Sequence, residues 1–384
     1  MRIDLTAALD ALAKAARKGR GRLGPSISEV GPRVGCLAFD PSGEFLAVGL
    51  SEHAPRVLVF ELPGGERRTS YRLGHTYDGA YFQADMEDDE ADYFGFFATL
   101  SCSFSPDGRW FAVQHANPNQ GDVIDVNLQI FDRSRGGLAL GLGPRDAEGE
   151  GRALGVSAYG WVAGGAGVVA ASFDGGISAW RLGPRPTVRV VERPSAREVP
   201  PVLALSGDAT GAHLALVRAG ALELRDLLGG EATRRIALGV EPTAGGHVTL
   251  EFVRDRVVVA WAEQGVGTTF VVALESGHVE RFPLTVRGSR AGGALGAMLI
   301  HPSGESVLWE VGGEDGTGRR LVRQPLDGGV ARAIRRQSAA SNEGPVAVSL
   351  DGLHVARAQG AEVVIRRIRP RSAKAGDSPS DGGG

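Results

Sequence analysis

Residues 77–97 hold the densest set of chemically capable side chains in this 384-residue chain. Seven carboxylates (Asp78, Asp85, Glu87, Asp88, Asp89, Glu90 and Asp92) share the segment with seven aromatics (Tyr77, Tyr81, Phe82, Tyr93, Phe94, Phe96 and Phe97), and no lysine or arginine interrupts them. Aromatic rings beside charge are what interface anchors are made of, and clustered carboxylates suit an arginine- or lysine-rich partner. A second long segment, 115–126, adds Asp122 and Asp125. We read Tyr77, Asp78, Tyr81, Phe82, Asp85, Glu87, Asp88, Asp89, Glu90, Asp92, Tyr93, Phe94, Asp122 and Asp125 as a docking set for a protein or peptide partner, with basic partners favoured. Two other readings stay open. The segment can be a solvated acidic loop whose aromatics staple it down, Phe96 and Phe97 already beginning the next strand. Alternatively, Asp85 to Asp92 could offer oxygens to Ca²⁺, although the spacing and glycine of an EF-hand loop are missing.

Nothing else in the chain points as clearly to chemistry. There is no Gly-x-Ser-x-Gly elbow, no His-Glu-x-x-His, no P-loop and no Gly-x-Gly-x-x-Gly following a strand. The eight histidines are scattered singly. Cys36 and Cys102 sit in separate apolar runs and read as buried free thiols, because two cysteines without further spaced ligands make neither a zinc site nor a disulfide framework. No catalytic residue, metal or cofactor is expected. The net charge of −3 gives no global attraction to nucleic acid or to an anionic membrane. The one dense basic run, Arg366, Arg367, Arg369, Arg371 and Lys374, lacks the aromatics that a nucleic-acid groove uses for stacking. It reads as the solvent face of a last strand and a polar tail. No stretch is apolar enough to span a membrane and the N-terminus lacks an apolar signal core, so a cytoplasmic location is expected.

The elements that must position these residues are short strands. In Phe104-Ser-Pro-Asp-Gly-Arg-Trp-Phe-Ala-Val113 an apolar run enters a Ser-Pro-Asp-Gly turn and a second apolar run leaves it, which is a β-hairpin in sequence form. The pattern returns in Phe39-Asp-Pro-Ser-Gly-Glu-Phe-Leu-Ala-Val48 and Ile300-His-Pro-Ser-Gly-Glu-Ser-Val-Leu-Trp309. Looser copies mark Gly167, Gly211, Asp255 (glycine lost) and Gly352. With Gly43, Gly108 and Gly304 these make seven markers spaced by 65, 59, 44, 44, 49 and 48 residues. A step in the mid-forties is that of a four-stranded propeller blade. After each marker comes a further alternating run: 56–61, 127–132, 176–181, 221–226, 268–273, 319–324 and 362–367.

Ser172-Phe-Asp174-Gly-Gly-Ile-Ser-Ala-Trp180 resembles the loop aspartate, small residues and strand-ending tryptophan of the WD40-like β-propellers, and Leu73-Gly74-His75 resembles their Gly-His blade entrance. The resemblance covers about residues 26–370 and implies an all-β, seven-bladed propeller that binds proteins or peptides. No blade ends in Trp-Asp and most lack the histidine, so the family's buried tetrad is not carried over. The expected division is an N-terminal helix and linker over 1–25, the propeller over 26–370 and a disordered tail over 371–384. Ser26-Ile-Ser-Glu-Val30 is expected to supply the outer strand that closes the last blade. Leu5, Leu9, Leu12 and Ala16 form one stripe of a helix over 4–18, which docks on its own domain or offers a secondary partner contact.

In a propeller the insertion over 77–97 and the segment 115–126 emerge on one face, opposite the hairpin turns. The expectation is a non-catalytic interaction scaffold docking through that face. The alternatives are a propeller hydrolase or lyase with its site at the central channel, and a sensor subunit tethered by helix 4–18. Three or more carboxylates or histidines converging at one channel mouth would favour the enzyme.

Overall fold

The computed structural model describes residues 1–11, 33–51, 56–77, 80–83, 98–118, 124–143, 153–194, 199–227, 232–240, 246–263, 265–285, 295–301, 304–312, 319–335 and 343–367. The marker turns set its local geometry. At Ser105-Pro-Asp-Gly108 the Trp110 N–H donates to Ser105 Oγ at 2.9 Å, the Arg109 N–H donates to Asp107 Oδ1 at 3.1 Å, and the Ser105 hydroxyl donates to Asp107. At Asp40-Pro-Ser-Gly43 the same three bonds form with hydroxyl and carboxylate exchanged. There Phe45 N–H donates to Asp40 at 2.9 Å, Glu44 N–H donates to Ser42 Oγ at 3.2 Å, and Ser42 donates to Asp40 at 2.8 Å. Asp208 with Thr210 repeats the second version and Ser349 with Asp351 the first. Both are side-chain mimics of a backbone turn. Burial alone would raise the carboxyls of Asp208 and Asp351, but these hydrogen bonds hold both below the usual carboxylate range. Where the glycine is lost, Arg254 takes a positive φ of 56° in a tighter turn.

Each turn joins the first two strands of a four-stranded antiparallel sheet. The innermost strands are Arg33–Phe39, Ala98–Phe104, Ala153–Val162, Val202–Gly207, His247–Val253, Leu295–Ile300 and Glu343–Val348. Among the described residues they head five four-stranded sheets and the two halves of one eight-stranded sheet, units here called blades 1 to 7. The inner strand of blade 1 touches those of both blade 2 and blade 7, so the sheets stand in a closed ring around an axis.

Middle strands are buried on both faces, as packing between two neighbours requires. In blade 1, Leu58 and Phe60 face blade 7 while Val57 and Val59 face blade 2. Apolar clusters of this kind fill six inter-blade spaces. Between blades 6 and 7 the described residues instead place a buried ion pair, Glu310 with Arg357, their side chains 3% and 5% exposed. Burial, with Arg366 adding to it, pushes the Arg357 guanidinium down to about 10.

The ring closes differently from the sequence expectation. The outer strand of blade 7 is Arg2–Asp4, with Arg2 opposite Val364 and Asp4 opposite Glu362. The Met1 amine and carbonyl bond Ile365, and the Leu5 N–H bonds the Ala361 carbonyl. Ser26–Val30, expected at that edge, lies outside the described residues. The division at residue 25 therefore cuts through a blade. Helix begins at Thr6, not Asp4, whose carboxylate accepts the Thr6 N–H at 2.8 Å. Leu5 and Leu9 are buried with Ile3 between blades 7 and 1, so this half of the leucine stripe serves the domain's own core. Residues 12–18 and the tail 371–384 lie outside the described residues. Arg366 and Arg367 are the exposed end of the last strand, whereas Arg369, Arg371 and Lys374 fall beyond it. No helix among the described residues is long and apolar enough to cross a membrane.

The turn glycines do more than accept positive φ. A Cβ on Gly352 would lie 1.8 Å from the His301 ring of blade 6, and one on Gly304 would lie 1.9 Å from Val253 of blade 5. On Gly211 it would lie 2.7 Å from Ala163 of blade 3, and on Gly165 2.8 Å from Asp107 of blade 2. Each of these turns rests on the turn of the preceding blade. Gly43 is the exception, with nothing within 4 Å. All three of Gly43, Gly304 and Gly352 have φ between 66° and 73°. Alanine at Gly43 should therefore cost only the left-handed strain of about 1–2 kcal/mol. Gly304→Ala and Gly352→Ala should each cost about 1–3 kcal/mol more through overpacking. Urea unfolding of the three variants checks this, and equal midpoints would refute the turn-on-turn contact.

Candidate partner-docking face

The insertion after blade 1 begins as a hairpin. Gly74–Tyr77 pairs antiparallel with Ala80–Gln83, placing His75 opposite Phe82 and Thr76 opposite Tyr81. Its root is held from blade 2 by Gln129, which is fully buried. The Gln129 amide donates to the Gly74 carbonyl at 2.5 Å and its oxygen accepts the Gly74 N–H at 3.3 Å. Blade 6 repeats the device. Gln324 donates to the Phe282 and Pro283 carbonyls of blade 5 at 3.1 and 3.2 Å, while its oxygen accepts from Thr269 and from the Trp309 indole. A glutamine suits both sites because one side chain both donates and accepts.

Blade 2 itself is enlarged. Its second and third strands, Trp110–Pro118 and Ile124–Asp132, run nine residues each. Residues 124–126 then pair in parallel with 153–155 of the innermost strand of blade 3. The Gln114 amide adds a bond to the Val156 carbonyl at 2.9 Å. Blades 2 and 3 are thereby joined by backbone hydrogen bonds as well as by apolar packing.

The docking set divides accordingly. Tyr77, Tyr81 and Phe82 lie on the hairpin. Asp78, Asp85, Glu87, Asp88, Asp89, Glu90, Asp92, Tyr93, Phe94 and Asp122 lie outside the described residues. Asp125 corrects the expectation. It is 2% exposed in the long third strand, alongside buried His115 and Asn127, so it belongs to the interior of the enlarged blade and not to a docking surface. The hairpin itself was signalled by Asp78-Gly79 between two short apolar runs, a two-residue hairpin signature that the acidic composition overshadowed. Gln129 carried no signal, being one polar residue in an alternating strand.

Around the axis the inner strands carry a small polar set. The Trp161 indole donates to Ser103 Oγ at 2.9 Å, and the hydroxyls of Ser103 and Tyr159 are 3.1 Å apart. The Ser206 hydroxyl donates to Glu251 at 3.3 Å. Glu251 is exposed to solvent in part, yet protein atoms crowd its carboxyl. This burial pushes Glu251 up to about 7 against the opposing effect of Ser206. Desolvation also raises the Tyr159 hydroxyl. No three His, Cys, Asp or Glu side chains among the described residues gather where they could hold a metal.

Comparison with solved structures matches this ring. The chain is similar to a propeller-containing chain in the crystal structure of the mitotic checkpoint complex, with TM-score 0.55 and 13% identity over 90% of this chain and 92% of that one. It is likewise similar to the β-propeller domain of Cps50 (Swd1) from Myceliophteria thermophila, with TM-score 0.56 and 15% identity over 88% and 97%. The fold is a β-propeller. At these identities the likeness is one of fold. No family profile matches the sequence, and no curated protein matches it.

Two outcomes follow from these groups. Gln129→Ala leaves Gly74 without its clamp, so amide exchange at residues 74–77 should quicken at least about tenfold while Gln324→Ala leaves those amides unchanged. Mass-resolved hydrogen exchange reads this directly. For Glu251 the folded pKa lies above the ordinary 4.5. Between pH 4.5 and 7 the folded state keeps a proton that the unfolded chain has lost, so stability falls as pH rises through that window and is flat above it. Glu251→Gln should remove this fall and be more stable than the parent at pH 8, as compared by urea midpoints at pH 5 and pH 8.

Proposed function

We propose that this propeller is a non-catalytic interaction platform, cytoplasmic, that docks a basic segment of a protein partner on the face bearing the 74–97 insertion. The observation that carries the reading is the Gln129 clamp on Gly74. Here the root is fixed on an enlarged blade, and the chain that leaves it is acidic and aromatic without a compensating lysine or arginine. Carboxylates on a fixed base lose less conformational freedom on binding, and aromatics among them supply the buried area. Asp125 drops out of the contact set; Tyr77, Tyr81 and Phe82 stay in it as proposed anchors. Of the proteins with similar folds, one is part of the mitotic checkpoint complex and another is Cps50 (Swd1). That supports a protein-binding role for this chain by analogy of fold.

The test is affinity purification with mass spectrometry, comparing the parent with a variant in which Asp85, Glu87, Asp88, Asp89 and Glu90 are all serine. The variant should lose the parent's partner at least tenfold, by about 1.4 kcal/mol or more, and keep the parent's melting temperature. The parent's binding should weaken with added salt. Retention of every partner by the variant would reject the acidic face. A melting temperature that calcium raises in the parent but not in the variant would point to a metal loop instead.

A further inference from the structure

The outer strand of blade 3, Thr187–Glu192, pairs on one side with Ile177–Arg181 and on the other with no strand among the described residues. Outer edges elsewhere in the ring are guarded. Blade 1 exposes Glu66, Arg67 and Arg68 on its outer strand, and blade 5 exposes Glu280, Arg281 and Pro283. Charge and proline on an edge deter the pairing of a further strand. Blade 3 shows valine instead. Val188 and Val190 are 50% and 53% exposed, and no other strand among the described residues bares two large apolar side chains. Val188 stands opposite Trp180 and Val190 opposite Ser178, so both valines share the blade face that carries Trp180. Trp180 and Leu142, at the end of the outer strand of blade 2, are partly buried in the apolar cluster between the two blades. The valines extend that cluster toward solvent.

Charge surrounds this apolar strip with one sign. From Ile177 to Arg193 the chain has four arginines, Arg181, Arg185, Arg189 and Arg193, and one carboxylate, Glu192. All four arginines are exposed. Glu192 is already engaged, with Arg218 at 3.0 Å and Arg225 at 2.7 Å, both from blade 4. The edge is thus hydrophobic on one face and positive around it.

We propose that the outer edge of blade 3 is a strand-addition site for an extended, acidic segment of a protein partner. The segment lies beside Thr187–Glu192 as a fifth strand of the blade. Its main chain takes up the outward N–H and C=O groups of the edge, which supplies affinity, while alternate side chains supply specificity. β-branched side chains on one of its faces cover Val188 and Val190, and its carboxylates meet Arg181, Arg185 and Arg193. This edge is opposite in charge to the acidic insertion and recognises a different kind of segment.

The experiment titrates the full chain with a blocked eight-residue peptide of alternating glutamate and valine, and with its lysine–valine counterpart, and follows hydrogen exchange. With the glutamate peptide, amide exchange within residues 187–192 should slow at least about fivefold, and added salt should weaken the effect. The lysine peptide should leave those amides unchanged. Val188→Thr combined with Val190→Thr keeps β-branched side chains in the strand and should weaken binding at least about fivefold. Arg181→Gln, Arg185→Gln and Arg193→Gln together change only exposed side chains and should weaken it as well. The variant with serine at the five acidic positions should bind the glutamate peptide as the parent does, which separates this edge from the acidic insertion. The proposal is overturned if residues 187–192 do not respond to the glutamate peptide at millimolar concentration, or if the two peptides act alike. It is equally overturned if the same amides are protected without peptide and sedimentation shows a dimer, since a second copy of the chain then covers the edge.

Discussion

Closing a ring of sheets demands one joint that neighbouring segments of chain cannot make. Six blades follow one another along the sequence, but the seventh must complete its sheet from the other end of the chain. Here the pairing of Arg2–Asp4 with Glu362–Val364 does so, with Ile3, Leu5 and Leu9 filling the space between blades 7 and 1. Without that strand blade 7 would present an open edge and the apolar faces of blade 1 would lose their cover. The absence of a turn-on-turn contact at Gly43 falls at this same seam. At the one joint where the blades are not chain neighbours, an apolar wedge and backbone hydrogen bonds replace the stacking of turns.

The other joints differ in chemistry. Most are apolar, but blades 6 and 7 meet across Glu310 and Arg357. A buried ion pair adds little net stability over a well-packed apolar pair, while loss of either partner leaves a charge stranded. Its value is selectivity, because blade 6 cannot accept an apolar neighbour there without burying a lone carboxylate. Blades 2 and 3 are joined most firmly, through the parallel pairing at 124–126. Gln129, which holds the root of the candidate docking insertion, belongs to one of these two blades.

Much of this architecture was legible in residues. The turn sequence names its hairpin because Pro, Asp or Ser, and Gly each meet a separate backbone demand. Six of the seven markers fall in hairpin turns, Gly167 opens the strand that follows its turn, and the alternating runs after the markers correspond to strands. What stayed hidden depends on distant partners. Ser26-Ile-Ser-Glu-Val30 has a better strand composition than Arg2-Ile-Asp4, yet three residues suffice when a waiting edge supplies their hydrogen bonds. Asp125 looked like part of an acidic surface, since an ionised carboxylate is rarely interior; the lengthened strand around it makes the interior. The separation of Cys36 and Cys102 by 66 positions (102 minus 36) gives no sign that their strands are neighbours, as blades 1 and 2 make them.

The strand at residues 2–4 also sets a timetable for synthesis. It leaves the ribosome 360 residues ahead of its partner strand, counted from Arg2 to Glu362. At about 5–20 residues per second the wait is roughly 20–70 s. During that interval six blades can form while Ile3, Leu5 and Leu9 have nowhere to be buried. A growing chain is therefore an open arc whose segment 2–9 keeps apolar side chains uncovered until translation passes Val364.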